Sequence, residues 1–225
     1  RLLLRCRPAL GAAVVVAGLA GGAQAQAVGD TAEMVAALTK FLASDEYRAG
    51  LTNHFRSAEP SRLQPACDQL VPDFDPRQHR LNILAPMAID KNLGVPARGT
   101  WTSSVPVNRC GVVVRRTALV QALGGGQVRF AALLPGETLA GVKLQTDTAK
   151  AAETGVGAQF GCAEPVQVVD TTVDEKPVNG AWTEIWTFAG CGSIQPRAVR
   201  FTPSPGGQGV DFAIGDTPPP AKPKP

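Results

Sequence analysis

The chain is poor in the residues that carry most enzyme chemistry. It has two histidines, His54 and His79, a single tyrosine, and only 5% aromatic residues. The histidines lie in separate stretches, which excludes paired-histidine metal spacings and the H-E-x-x-H helix. No Walker-type loop and no G-x-S-x-G elbow occur, so neither a phosphate cradle nor an α/β-hydrolase nucleophile is expected. The absence of C-x-x-C removes a thioredoxin-like redox pair and a zinc ribbon. No cofactor is expected.

What is present begins with a basic start, Arg1, Arg5 and Arg7, and an uncharged apolar run of 12 residues from Ala9 to Ala20. Small residues then lead to Ala23-Gln24-Ala25 and Ala25-Gln26-Ala27. These are the parts of a secretory signal, and the run is too short for a membrane-spanning helix, which needs about 20 residues. The expectation is cleavage after Ala25 or Ala27, no stable membrane anchor afterwards, and a periplasmic or secreted protein. Cys6 precedes the apolar run, where a lipid-modified cysteine does not sit.

Losing residues 1–27 removes three arginines and no acid, leaving 19 basic against 19 acidic side chains. The pI near 8.7 therefore does not signal nucleic acid or anionic lipid, because the excess positive charge leaves with the signal. Four cysteines remain, Cys67, Cys110, Cys162 and Cys191. An even number in an oxidising compartment favours disulfides. Gly and Pro together reach 43 residues, which fits short strands and many turns.

Two stretches repeat. Gly99-Thr-Trp-Thr102 runs on to Cys110-Gly111, and Gly180-Ala-Trp-Thr183 runs on to Cys191-Gly192, at one offset of 81 residues. Arg116 matches Arg197, Gly125-Gly-Gln127 matches Gly206-Gly-Gln208, and Ile89-Asp90 is aligned with Val173-Asp174. If each copy keeps its own bridge, the pairs are Cys67–Cys110 and Cys162–Cys191, each stabilising by roughly 3.5–4 kcal/mol on the chain-entropy account. Spacing does not choose among the three pairings, since about eleven extra residues follow Cys67.

Before the repeats, Asp30-Thr-Ala-Glu33 has capping-box spacing. Met34, Leu38, Phe41 and Leu42 then mark one helix face. Ser44 with Asp45 and Glu46 reads as a second N-cap, followed by Tyr47, Leu51 and Phe55 on one face. The expected fold is α+β and mainly β: an N-terminal helical pair, then two tandem four-stranded antiparallel meanders packed as a β-sandwich or flattened barrel. The expected boundaries are a signal peptide at 1–27, helices at 28–60, and a first repeat at 61–140. A linker able to form a short helix occupies 141–160, the second repeat 161–215, and a disordered Pro/Lys tail 216–225.

Candidate chemistry is sparse. Asp73, Asp75 and His79 form the one local cluster able to hold a divalent metal or to act as acid and base. The plain alternative is a charged surface loop. Trp186 lacks an aromatic counterpart in the first copy, where Val105 stands. That makes it the candidate exposed binding platform, while Trp101 and Trp182 read as core anchors. His54 sits beside an apolar helix stripe, and the recurrence of Arg116 and Arg197 points to a structural ion pair.

The second copy, Gly180-Ala-Trp-Thr-Glu-Ile-Trp-Thr-Phe188 through Cys191-Gly192, Val199-Arg-Phe-Thr-Pro203 and Gly206-Gly207, resembles a pattern of small exported proteobacterial proteins of unknown function. The first copy, with Ala132-Leu-Leu-Pro-Gly-Glu-Thr138, resembles the two-module version. The resemblance implies export and module boundaries and carries no catalytic residue. The resulting expectation is a non-enzymatic module binding a protein, peptide or envelope component. The competing reading is a hydrolase or metal-dependent enzyme built on Asp73, Asp75 and His79.

Overall fold

The computed structural model describes residues 22–62, 65–161, 164–206 and 209–216. Most of the expected signal and the expected tail from 217 onward lie outside the described residues. No helix among the described residues is long and apolar enough to cross a membrane.

Two helices come first, α1 (Gly22–Leu42) and α2 (Asp45–Ser57). The Ser44 hydroxyl accepts from the Tyr47 amide at 3.3 Å and so caps α2, with Asp45 and Glu46 in the first turn as the dipole favours. Leu38, Phe41, Leu42, Tyr47, Leu51 and Phe55 are buried, so both stripes face the core. Asp30 lies within α1 and not at its start, which comes eight residues earlier. The Ala-Gln-Ala-Gln-Ala stretch upstream favours helix and carries it through Asp30.

The first sheet contains β1 (Leu70–Pro72), β2 (Arg80–Asp90), β3 (Val95–Arg109), β4 (Val112–Gly124) and β5 (Gln127–Ala132). Strands β2 to β5 form an antiparallel meander, and β1 also pairs with β3. A helix, α3 (Val142–Phe160), leads to the second meander, β6 (Gln167–Val178), β7 (Ala181–Gly190), β8 (Ser193–Pro203) and β9 (Val210–Gly215). The chain is thus α+β and mainly β, with a helical pair before two antiparallel meanders, and neither sheet closes into a barrel. The expected linker is helical over Val142–Phe160, a longer helix than expected, which stops at Gly161, left-handed at φ 65°.

The two meanders share one register. Trp101 stands opposite Val120, and Trp182 opposite Phe201. Cys110-Gly111 closes β3–β4 with φ of 47° and 91°, and Cys191-Gly192 closes β7–β8 with φ of 50° and 72°. Positive φ at both central residues is the type I′ geometry that matches strand twist. The sequence alignment shifts at the first strand: Leu81 faces Ser103 and Val173 faces Glu184, so Val173 corresponds to Leu81 and not to Ile89. The excess after Cys67 also has a structural source. β6 is continuous, whereas in the first sheet the same edge is split by the Asp73–His79 loop, with β1 on one side and β2 on the other.

Each sheet has its own core. The first gathers Trp101, Val105, Val107, Ala118 and Val120 under the α1 and α2 stripes. The second gathers Val168, Trp186, Phe188, Val199 and Phe201 under Ala152 and Val156 of α3. A four-stranded meander cannot cover its own apolar face, and here helices provide that cover. Cys67 and Cys110 are bonded, with their Cα atoms 6.0 Å apart. Cys191 is also disulfide-bonded, while Cys162, its expected partner, lies outside the described residues.

Candidate functional site

The expected Asp73–Asp75–His79 cluster does not converge. Asp73 accepts from the Asp75 amide at 2.9 Å, closing a turn, and Asp75 is held by the Arg77 guanidinium at 3.0 Å from Nε. The Arg77 side chain, together with the Arg77 amide, lowers the Asp75 pKa. His79 turns inward, its Nε2 lying 2.7 Å from the Ser103 hydroxyl. Burial, with the nearby charges of Arg48 and Arg115, lowers the His79 pKa. Ser103 is fully buried, while His79 is half-buried beside Arg48 and Phe74. Among the described residues no group of three or more His, Cys, Asp or Glu is placed to hold a metal ion.

Trp186 is corrected as a binding platform: it is fully buried in the second core. The lack of an aromatic counterpart did not mark exposure, since Val105 is fully buried too, and Glu184 shares the Trp186 face. A glutamate suggests solvent, yet this one is buried and saturated. Its Oε1 accepts from Trp182 Nε1 at 2.8 Å, the Leu139 amide at 2.8 Å and the Thr138 hydroxyl at 2.9 Å, and its Oε2 accepts from Trp186 Nε1 at 2.8 Å. Trp182 stacks on Phe201 with centroids 4.7 Å apart, an anchor as expected. Trp101 is likewise fully buried.

His54 stacks on Phe130 at 5.6 Å, a covered helix residue. Arg116 bonds Glu59 at 3.1 Å, and Arg109 pairs with the same carboxylate. The structural ion pair is therefore real in the first sheet. Arg197 differs, donating to Gln195 Oε1 at 2.8 Å and to the Pro196 carbonyl at 3.0 Å.

The polar constellation that the sequence reading missed lies on the opposite face of the first sheet. The register places Arg80 and Asn82 of β2, Thr102 and Ser104 of β3, Arg115 and Thr117 of β4, and Arg129 of β5 on that side. No carboxylate belongs to the strand residues sharing it. On the matching face of the second sheet, Asp170, Glu175 and Asp211 accompany Arg200. The even balance of acidic and basic side chains over residues 28–225 thus conceals two faces of opposite sign.

Residues 133–141 roof one end of the first face. The Leu133 and Gly136 amides bond the Thr117 and Arg115 carbonyls at 3.3 and 3.0 Å, and the Glu137 amide bonds the Thr171 carbonyl at 2.7 Å. The segment is stitched between β4 and β6. Gly136, at φ 92°, packs so closely that an added Cβ would fall 2.1 Å from the Thr171 oxygen. Between this roof and the sheet lies a cavity of about 290 Å³. Glu137 enters it, its Oε1 lying 2.8 Å from Arg80 and 3.3 Å from Arg115. Arg115 is fixed by the carbonyls of Gln78 at 3.2 Å and Ser104 at 3.3 Å. Burial and the neighbouring Arg80 charge both lower its pKa, and Glu137 opposes them.

Structurally the chain is a pair of helix-covered antiparallel meanders with a polar cleft on an open sheet face. No protein-family model, curated protein or solved structure matches it.

Proposed function

We propose that this is an exported, disulfide-braced, non-enzymatic module, formed by duplication, whose open first-sheet face binds an envelope protein or peptide carrying negative charge. The observation that carries the reading is the asymmetry of that sheet. One side is built into a core by α1 and α2, while the other carries arginines and hydroxyls with no carboxylate on its strands and a cleft at one end. Patches of one sign steer and orient a partner of the other. The Cys67–Cys110 bond supports an oxidising compartment, and the basic start with its A-x-A sites supports export. The resemblance to two-module exported proteins points the same way.

The test is a photo-crosslinking residue at exposed Gln121 on the first face, and another at exposed Ala213 on the second, in cells expressing the whole chain. A periplasmic or extracellular product with a discrete adduct from Gln121, weakened by salt, and none from Ala213 is expected. Equal adducts from both positions, or none from Gln121, refute the face. Cytoplasmic retention with reduced cysteines refutes export.

A further inference from the structure

We infer that the cleft under residues 133–141 is a receptor for the C-terminal carboxylate of a peptide, and that Glu137 is an internal stand-in for it. The inference rests on the open-face reading and names the chemistry of its ligand. Arg80 and Arg115 come from strands that do not neighbour one another, yet both reach one carboxylate oxygen. Guanidinium groups converging in this way form the usual recognition device for a planar carboxylate.

The two arginines differ in kind. Arg115 is a fixed charge, its side chain 13% exposed and held by two backbone carbonyls. Arg80 is 64% exposed and free to adjust. A rigid charge with an adaptable one suits an incoming ligand better than a purely internal brace.

Glu137 behaves as a removable occupant. Its backbone is anchored through Gly136 and its own amide, so rotation of the side chain alone uncovers both arginines. That side chain is 50% exposed, and pairs so open to solvent hold weakly. Glu184, fully buried and bound by four donors, shows what a permanently seated carboxylate looks like in this same chain.

The size of the cleft narrows the ligand. About 290 Å³ lies at the lower edge of small-molecule sites, roughly 300–1,000 Å³, and suits one terminal residue with its carboxylate. The walls offer the hydroxyls of Thr102, Ser104 and Thr117 beside Leu84 and Leu139. They can therefore take a small side chain and a peptide amide as well as the charge. A carboxylate is the anion the arginines already hold, so a terminal carboxylate is the fitting class.

The experiment measures binding of fluorescein-labelled trialanine with a free C-terminus to the full chain by anisotropy, against the same peptide with a C-terminal amide. Inorganic phosphate and unlabelled acetyl-trialanine serve as competitors. The free acid is expected to bind roughly ten-fold or more tightly than the amide. Arg80→Gln should weaken the acid roughly ten-fold, and Glu137→Gln should tighten it several-fold by removing the occupant. Arg200→Gln, on the other sheet, should change nothing. Arg80 and Glu137 are exposed enough for both variants to fold, which circular dichroism verifies. Equal binding of acid and amide overturns the assignment, as does failure of both the wild type and Glu137→Gln to bind. Phosphate competing as well as acetyl-trialanine overturns the carboxylate class. Should Gln121 adducts persist while acid and amide are not distinguished, the face stands and this site falls.

Discussion

Ser103 and Glu184 occupy the same place in the two meanders, one beside Trp101 and the other beside Trp182. The second sheet fills that place with a carboxylate that satisfies two indoles, an amide and a hydroxyl. The first sheet fills it with a hydroxyl bonded to His79, with the Tyr47 hydroxyl and Trp101 Nε1 buried close by. One backbone register therefore supports two different polar interiors. The same contrast holds outside, where arginines line one open face and carboxylates line the other. The shared frame comes from apolar alternation and Cys-Gly turns, and the polar residues make the two units unlike.

The sharpest way to break this comparison is to remove Glu184. Glu184→Leu strands four donors around a fully buried side chain, and each unsatisfied group costs about 1–3 kcal/mol. A loss of about 4 kcal/mol in denaturant unfolding is expected, with the second unit melting first. Ser103→Ala removes a single partner and should cost about 1 kcal/mol. Comparable losses at the two positions would show that the carboxylate is not the organising group of the second core.

Next comes the ion network of the first unit. Glu59 neutralises Arg109 and Arg116, whose side chains are 9% and 7% exposed. Removing one partner of a buried pair leaves uncompensated charge and typically costs about 3 kcal/mol, so Glu59→Gln should lower stability by about that amount. Arg197 stands where Arg116 does but bonds only neutral oxygens in the described contacts, and Arg197→Gln should cost less than about 1 kcal/mol. If Arg197→Gln proves as damaging as Glu59→Gln, the two units share more of their electrostatics than their contacts suggest.

The disulfide is a milder lever. Replacing both Cys67 and Cys110 by serine opens a loop with a sequence separation of 43. Native bridges typically contribute about 2–4 kcal/mol, and residual structure in the unfolded chain brings the contribution below the chain-entropy figure. Unfolding of the double variant, with the Cys191 bridge left intact, should show about 2 kcal/mol lost from the first unit alone. A loss shared by both units would mean that they unfold as one.

These contrasts also mark where the sequence was readable. The eight main strands and the Ser44 cap were legible because alternation and capping are local, whereas the Cys-Gly hairpins were seen only as a repeat. The burial of Trp186 was not. Its face also carries Glu184, and the four donors that make that glutamate tolerable come from both β7 and the distant Thr138–Leu139 segment. The cleft was hidden for the same reason: Arg80 and Glu137 are 57 residues apart and meet only after β2 docks on β3 and the 133–141 segment bridges both sheets. The strand β1 escaped because three residues carry no period. The Asp73–His79 cluster attracted attention through composition, yet hydrogen bonding directs its side chains to three separate partners.

The smallest effect separates the units by the sign of their pH response. Both histidines belong to the first unit, and burial lowers both below their ordinary value of 6.5. Below 6.5 the unfolded chain binds the extra protons, so the stability of the first unit should fall as pH drops from 6.5 through the folded-state values. In the second unit, burial raises Glu153 and Asp170 above their ordinary values of 4.5 and 3.8. There the folded state keeps its protons longer, so that contribution is present at low pH and is lost as pH rises through the folded-state values. Between about pH 4 and 6.5 the two units should therefore drift in opposite directions, relative to His54→Gln/His79→Gln and Glu153→Gln/Asp170→Asn backgrounds respectively. Amide hydrogen exchange resolves them, with Trp101–Val107 reporting the first core and Trp186–Ala189 the second. Parallel slopes in both cores, unchanged by either pair of substitutions, would mean that other groups govern the pH dependence and that the two interiors differ less in electrostatics than in shape.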